Sequence, residues 1–313
     1  MKNHDFSIDE IDYLDFLDAL EKKAGKFKLL TVKCNNCGAT STIDTSTEAS
    51  SCPSCADALE IGAISEDAVI SPWGMVPFEI EAYKAKEVIK LKLSKRWFKP
   101  IGLDARSLLS NHFQAVYIPF WTFDCDMTLK YAGKRGDEVD HEDRVAVLWT
   151  EVTGDIEYFF DDILVAAAGN SRNDSIKALS PWNIQKVVPF KQKNLKGAVV
   201  EKCQVDVKQG MDAAKQKIFD AAELFIKTDI GGEVQLIEWV NANYKGITFK
   251  HILLPIYTAT YKFKGKSYPL VVDGQRGNFS GKIPRSITKI VALILVVLIV
   301  ILGLGWLIQN DYL

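Results

Sequence analysis

The chain has 313 residues, a formal net charge of −2 and 48% hydrophobic residues. That is ample apolar material for a core, which excludes a disordered chain. The lack of a basic excess excludes a protein that coats nucleic acid by charge alone.

Residues 6–24 read as an amphipathic helix. Ser7 and Glu10 form a capping box, and Phe6 and Ile11 stand at staple positions. Ile8, Ile11, Leu14, Leu17 and Leu20 give an apolar stripe; Asp9, Asp12, Asp15 and Asp18 line another face, and Gly25 can end the helix. Residues 1–25 therefore form an acidic arm that either docks a partner or packs on its own body.

Residues 26–65 carry a metal motif. Cys34-Asn35-Asn36-Cys37 and Cys52-Pro53-Ser54-Cys55 are two CxxC pairs separated by fourteen residues. Short strands are expected at Phe27 to Lys33 and Ala39 to Asp44. Two such turns aim four thiolates at one centre, which suits one tetrahedral, structural Zn²⁺. The ribbon carries no phosphate-binding charge: between Lys33 and Lys84 there is no Lys or Arg, while Asp44, Glu48, Asp57, Glu60, Glu66 and Asp67 are present. It reads as structural or protein-binding.

A basic helix follows. Ala82, Ala85, Ile89, Leu93 and Trp97 share a face, ringed by Lys84, Lys86, Lys90, Lys92, Lys95, Arg96 and Lys99. It either packs on the core with solvated lysines or lies on anionic lipid. Tyr117 to Asp124 is a strand of large apolar residues, Gly133 to Arg144 a polar loop, and residues 145–170 alternate as strands. Residues 199–207 read as a strand and 211–227 as an amphipathic helix; strands follow at Phe249 to Tyr261 and Ser267 to Val272, with a turn at Asp273 to Asn278. Val76-Pro77-Phe78 with Ile118-Pro119-Phe120-Trp121-Thr122 parallels Val188-Pro189-Phe190 with Leu254-Pro255-Ile256-Tyr257-Thr258. This faint duplication divides the body into two related α+β units, 66–180 and 181–284.

From Ile290 to Ile308 nineteen residues carry no charge. At about 1.5 Å per residue such a helix matches a bilayer core of about 30 Å. Lys282, Arg285 and Lys289 precede the span, and Asp311 follows it. The cationic flank places the body in the cytosol and residues 310–313 outside, which agrees with reduced, zinc-binding cysteines. The expected fold class is thus α+β: an N-terminal helix, a zinc ribbon, a mixed α+β body and one transmembrane helix over 287–309.

Several segments carry a family resemblance: VKCNNCGA (32–39) with SCPSCA (51–56), VPFEIEAYKAKE (76–87), KRWFKP (95–100), YIPFWTFD (117–124), VTGDIEYFFDDILVAA (152–167), LSPWN (179–183) with VVPF (187–190), FKHILLPIYTATYKFKGKSY (249–268) and VDGQRGNFSGKIP (272–284). Over about residues 27–310 the chain resembles the bacterial zinc-ribbon, tail-anchored membrane proteins labelled primosomal protein N-prime or replicative helicase-like. The resemblance implies that the membrane is the bacterial inner membrane, with partners among phage-shock-type membrane-stress proteins and flotillin-like (SPFH) scaffolds. A helicase motor is not supported. No GxxxxGK[ST] is present, and Gly265-Lys266-Ser267 has Thr260 where the phosphate loop needs glycine.

Catalytic signals are thin. Asp161-Asp162 are adjacent on a strand and are expected to point to opposite faces. His141-Glu142-Asp143 falls in the polar run, and Cys125 and Cys203 read as inert strand cysteines. The leading expectation is a non-enzymatic adaptor that recruits proteins to the membrane. A membrane-tethered nucleic-acid-binding protein is the alternative, and a hydrolase using Asp161 or Asp162 a third reading.

Overall fold

The computed structural model describes residues 9–22, 26–36, 40–43, 52, 57, 64–70, 72–100, 103, 105, 108–109, 113–141, 144–168, 175–176, 178–179, 181–195, 197–264 and 266–309. The elements are β1 (Ile11–Asp12), α1 (Tyr13–Lys22), β2 (Lys26–Lys33), β3 (Thr40–Ile43), β4 (Ile64–Ile70), β5 (Gly74–Met75), α2 (Ala82–Ser94), β6 (Phe113–His141) and β7 (Arg144–Ala166). They continue with β8 (Val188–Pro189), β9 (Val199–Glu201), α3 (Val207–Ile230), β10 (Val234–Phe263), β11 (Lys266–Asp273), β12 (Phe279–Gly281) and α4 (Ile287–Gln309).

Two long antiparallel strands, β6 and β10, run side by side for nearly their whole length, from Phe113↔Ala259 to Gly136↔Val234. Along the outer edge of β10 lie β11, β5 and β1 in turn; along the outer edge of β6 lie β9 and β7. β3 pairs with β9, so β3, β2 and β4 extend the same sheet. The fold is therefore one large mixed sheet with four α-helices among the described residues, which overturns the expected α+β class. The repeated proline motifs meet one another in this sheet: Ile118 faces Leu254, and Gly74–Met75 pairs with Val188–Pro189. The polar run Gly133 to Arg144, expected as a loop, belongs mostly to the β6–β7 hairpin. Residues 133–141 carry no apolar alternation, yet every one of them pairs with β7.

Burial explains the strands. Residues 116–125 and 251–260 are buried on both faces, so they read as continuous apolar runs rather than alternating ones. Beyond this centre β6 alternates: Cys125, Met127, Leu129 and Tyr131 are buried while Asp126 and Lys130 are exposed. The buried set packs against Ile218, Ala222, Ile226 and Ile230 of α3. α3 starts at Asp206, whose carboxylate accepts from Gln209 N–H at 2.8 Å, with the Gln209 side chain bonding back. Gly210 lets it approach closely, since a Cβ there would lie 2.8 Å from Trp121 Cδ1. α2 packs Ala85, Ile89 and Leu93 against Tyr257, Ala259 and Leu270. The helix stops at Ser94, so Trp97 leaves that face and stands 80% exposed.

The N-terminal arm folds onto its own body. Residues 1–8, including Ser7, lie outside the described residues; the described segment opens as a strand against Thr248 and Phe249. Asp12 Oδ1 accepts from Leu14 and Asp15 N–H and caps α1. Phe16 stacks edge-on against Phe249 and Trp73, while Leu14, expected on the apolar stripe, is 67% exposed. Ile11 and Leu17 of that stripe do pack inward, and Tyr13 and Phe16 join them.

Candidate functional site

At one level of the sheet three strands lose regular register together. β6 and β7 slip between Phe123 and Cys125, and β10 and β6 slip between Lys245 and Thr248, where Gly246 takes φ +55°. On β7 the irregularity places Asp162 at φ +53°, a left-handed conformation uncommon outside glycine. This kink re-aims the two β7 carboxylates. Oxygens of Asp124, Asp161 and Asp162 lie within 4.8 Å of one another. The expectation that Asp161 and Asp162 diverge therefore fails, because alternation holds only in a regular strand.

The cluster has an internal counter-charge. Lys250 Nζ lies 2.8 Å from Glu10 Oε1, 3.6 Å from Asp162 Oδ1 and 4.0 Å from Asp124 Oδ2. Asp124, only 1% exposed, accepts from Asp162 N–H at 2.5 Å, and Thr248 Oγ1 donates to Glu10 Oε2 at 2.7 Å. Glu10 comes from the arm, Asp124 from β6, Asp162 from β7, and Thr248 and Lys250 from β10. The cluster thus fastens the arm to three strands.

The electrostatics follow from burial. Desolvation pushes the Asp124 carboxyl up to about 7, against the Asp162 N–H bond and Lys250, which pull it down. Asp162 is also raised, first by desolvation, with Lys250 opposing. Burial alone would raise Glu10, but its bonds to Lys250 and Thr248 win and lower it. Desolvation would lower Lys250; the surrounding carboxylates outweigh it and raise it. The cluster can take up a proton near neutrality, and its oxygens are of the kind a hard cation accepts. Asp162 also borders a cleft of about 740 Å³ between β7, α3 and residues 181–185, whose mouth carries Trp182, Lys217 and Arg276.

Asp124 gives the stability a definite pH dependence. Its folded pKa, near 7, lies above its ordinary 3.8, so the folded chain keeps a proton that the unfolded chain has released. That contribution is full below about pH 4 and is lost as pH rises through 7. Glu10 acts oppositely: its contribution holds above its ordinary 4.5 and is lost at lower pH. Asp124→Asn, which keeps an acceptor for Asp162 N–H, is expected to flatten the fall in melting temperature between about pH 5 and about pH 8. Thermal unfolding of the detergent-solubilised chain checks this; an undiminished slope in the variant would remove Asp124 as its source.

The sequence-predicted site residues divide. Cys34 follows β2 and Cys52 precedes β4; both are buried, at 2% and 1% exposed. Cys52 N–H donates to Asp57 O at 2.6 Å. Cys37 and Cys55 lie outside the described residues. Among the described residues, Asp124, Asp161 and Asp162 form the one group of three or more ligand-type side chains close enough to share a metal. Lys282 and Arg285 lie ahead of α4 and Lys289 in its first turn; Ile290 and Ile308 fall within it. Burial drives the Cys125 thiol up to about 11 and that of Cys203 to about 12, so both stay protonated at neutral pH. Sequence reasoning missed Glu10, Asp124, Thr248 and Lys250 as a group. The visible signal was a charge embedded in an apolar strand, Asp124 after Phe123 and Lys250 between Phe249 and His251.

No family model matches the chain. It is 24% identical over 228 residues to the uncharacterized protein YdjG of Bacillus subtilis, a match that covers 71% of this chain and 67% of that protein. No solved structure matches. α4 is long and apolar enough to cross a membrane: Ile287–Leu304 has a mean hydropathy of 3.1 and none of it is buried.

Proposed function

We propose that the protein is a membrane-anchored, zinc-stabilised adaptor that recruits partner proteins to the cytosolic face of the membrane. The observation that carries the reading is the bare apolar helix α4 joined to a folded body. Water would not tolerate eighteen such residues uncovered, while a bilayer would cover them all. Lys282, Arg285 and Lys289 on the body side support a cytosolic orientation. Cys34, Cys37, Cys52 and Cys55 would hold one structural Zn²⁺, and the burial of Cys34, directly after β2, and of Cys52 fits that role.

Recruitment has a surface to work with. The end of the sheet remote from α4 exposes Trp149, Leu236 and Trp239, and among the described residues β7 has one neighbouring strand. Exposed aromatic residues and an open strand edge are what a docking protein covers. The resemblance to zinc-ribbon anchored proteins points to membrane-stress or SPFH-type scaffold partners. The test compares membrane and soluble proteomes of cells carrying the full chain or a form lacking residues 287–313. A defined set of proteins should shift to the soluble fraction together with the truncated body. Release of the body with no other protein moving would sink the adaptor reading.

A further inference from the structure

The junction between the body and α4 joins the segment after α2 to the start of the helix. Ser286 N–H donates to Phe98 O at 2.6 Å, and Lys289 Nζ donates to Trp97 O at 3.1 Å. The segment after α2 is thereby clamped to the start of α4, with the Trp97 ring projecting freely beside it. At the same level opens a cavity of about 470 Å³ between the β10–β11 turn and the first turn of α4. Phe263, Tyr268 and Pro100 form its apolar side; Lys264, Lys266 and Arg285 supply its charge.

Three features distinguish this cavity from an ordinary surface dimple. No carboxylate lines it. None of its three cations forms an ion pair among the described residues; Lys264 only leans over the Phe263 ring at 5.6 Å. It also sits where the chain passes from polar body to apolar helix, the depth at which headgroups lie and at which exposed tryptophans anchor. Cations near an anionic leaflet each attract it, and an apolar wall beside them suits the glycerol and upper acyl region. The opening is within the size range of small-ligand sites.

We propose that this cavity seats the phosphate headgroup of an anionic phospholipid, held by Lys264, Lys266 and Arg285, with Trp97 as an interfacial anchor beside it. The inference rests on α4 spanning the bilayer. A bound lipid would fix the rotation and height of the body on the membrane, which a single helix alone leaves free.

The test uses the full chain in an uncharged detergent, with native mass spectrometry after addition of phosphatidylglycerol or phosphatidylcholine of identical acyl chains. The wild type should retain phosphatidylglycerol with about a tenfold preference. Combined Lys264→Gln, Lys266→Gln and Arg285→Gln should abolish that preference, whereas Lys208→Gln on α3 should leave it intact. Matching thermal unfolding establishes that the triple variant is folded. Equal retention of the two lipids, an unchanged preference in the triple variant, or displacement by inorganic phosphate would each overturn the proposal, the last by revealing a small-anion site. Alkaline extraction of cell membranes separates the two readings. Loss of the wild type from the membrane pellet would defeat the anchor itself; loss of lipid preference with the chain still in the pellet defeats only the headgroup site.

Discussion

Lys250→Met is expected to destabilise the body by about 3–5 kcal/mol near pH 8, because it leaves buried carboxylates without their counter-charge. Lys250 Nζ faces Glu10, Asp162 and Asp124, and its side chain is only 15% exposed. Solvent therefore cannot take over its role. The cost should shrink near pH 5, where Asp124, with its pKa near 7, carries a proton and no longer needs a cation. Adding Asp124→Asn to Lys250→Met should recover much of the loss at the higher pH. Glu10 also loses its bond, so the arm should undock and the 9–22 segment become open to proteases. Denaturant unfolding of the solubilised chain at both pH values measures the effect. An equal cost at both would mean that Lys250 acts through packing rather than charge.

The second large effect concerns metal. About one zinc per chain is expected in protein purified without chelator, and Cys34→Ser should lose it. Structural zinc contributes an apparent 10–16 kcal/mol or so in small sites, more than a three-stranded ribbon can supply by burial alone. Removing it should therefore free β2, β3 and β4 to exchange amide hydrogens while β6 and β10 stay protected. The Ser41↔Glu201 and Thr42↔Val200 pairs to β9 are the seam along which the two parts would separate. A zinc-free wild type with a protected β2–β3 hairpin would overturn the metal assignment.

Much of the local structure was legible, and the failures share a cause. The β2 and β3 strands fall almost where the flanks of the first CxxC predict them, and α3 contains the whole 211–227 stripe. These rest on short-range chemistry. The misreadings arise where distant chain decides local form. Residues 133–141 look like loop because they lack apolar alternation, yet β7 pairs with all of them and β10 with residues 133–136, which holds them as strand. Asp161 and Asp162 should diverge on a regular strand, but the slip opposite Phe123 turns them together. Glu10 and Thr248 are 238 residues apart, so no spacing rule could join them. Trp97 continues a helical stripe in sequence only, since α2 ends three residues earlier at Ser94.

The length of β10 has a mechanical consequence. Phe263, at one end, lines the cavity beside α4, and Leu236, near the other, lies on the exposed apolar surface. At about 3.3 Å per residue, the strand between them spans at most roughly 90 Å. In the proposed adaptor, the paired strands would act as a stand-off that sets how far from the bilayer a captured protein is held. Because side chains alternate with period two, lengthening both strands by matched pairs of residues would raise that height by about 7 Å a step without turning the capturing face.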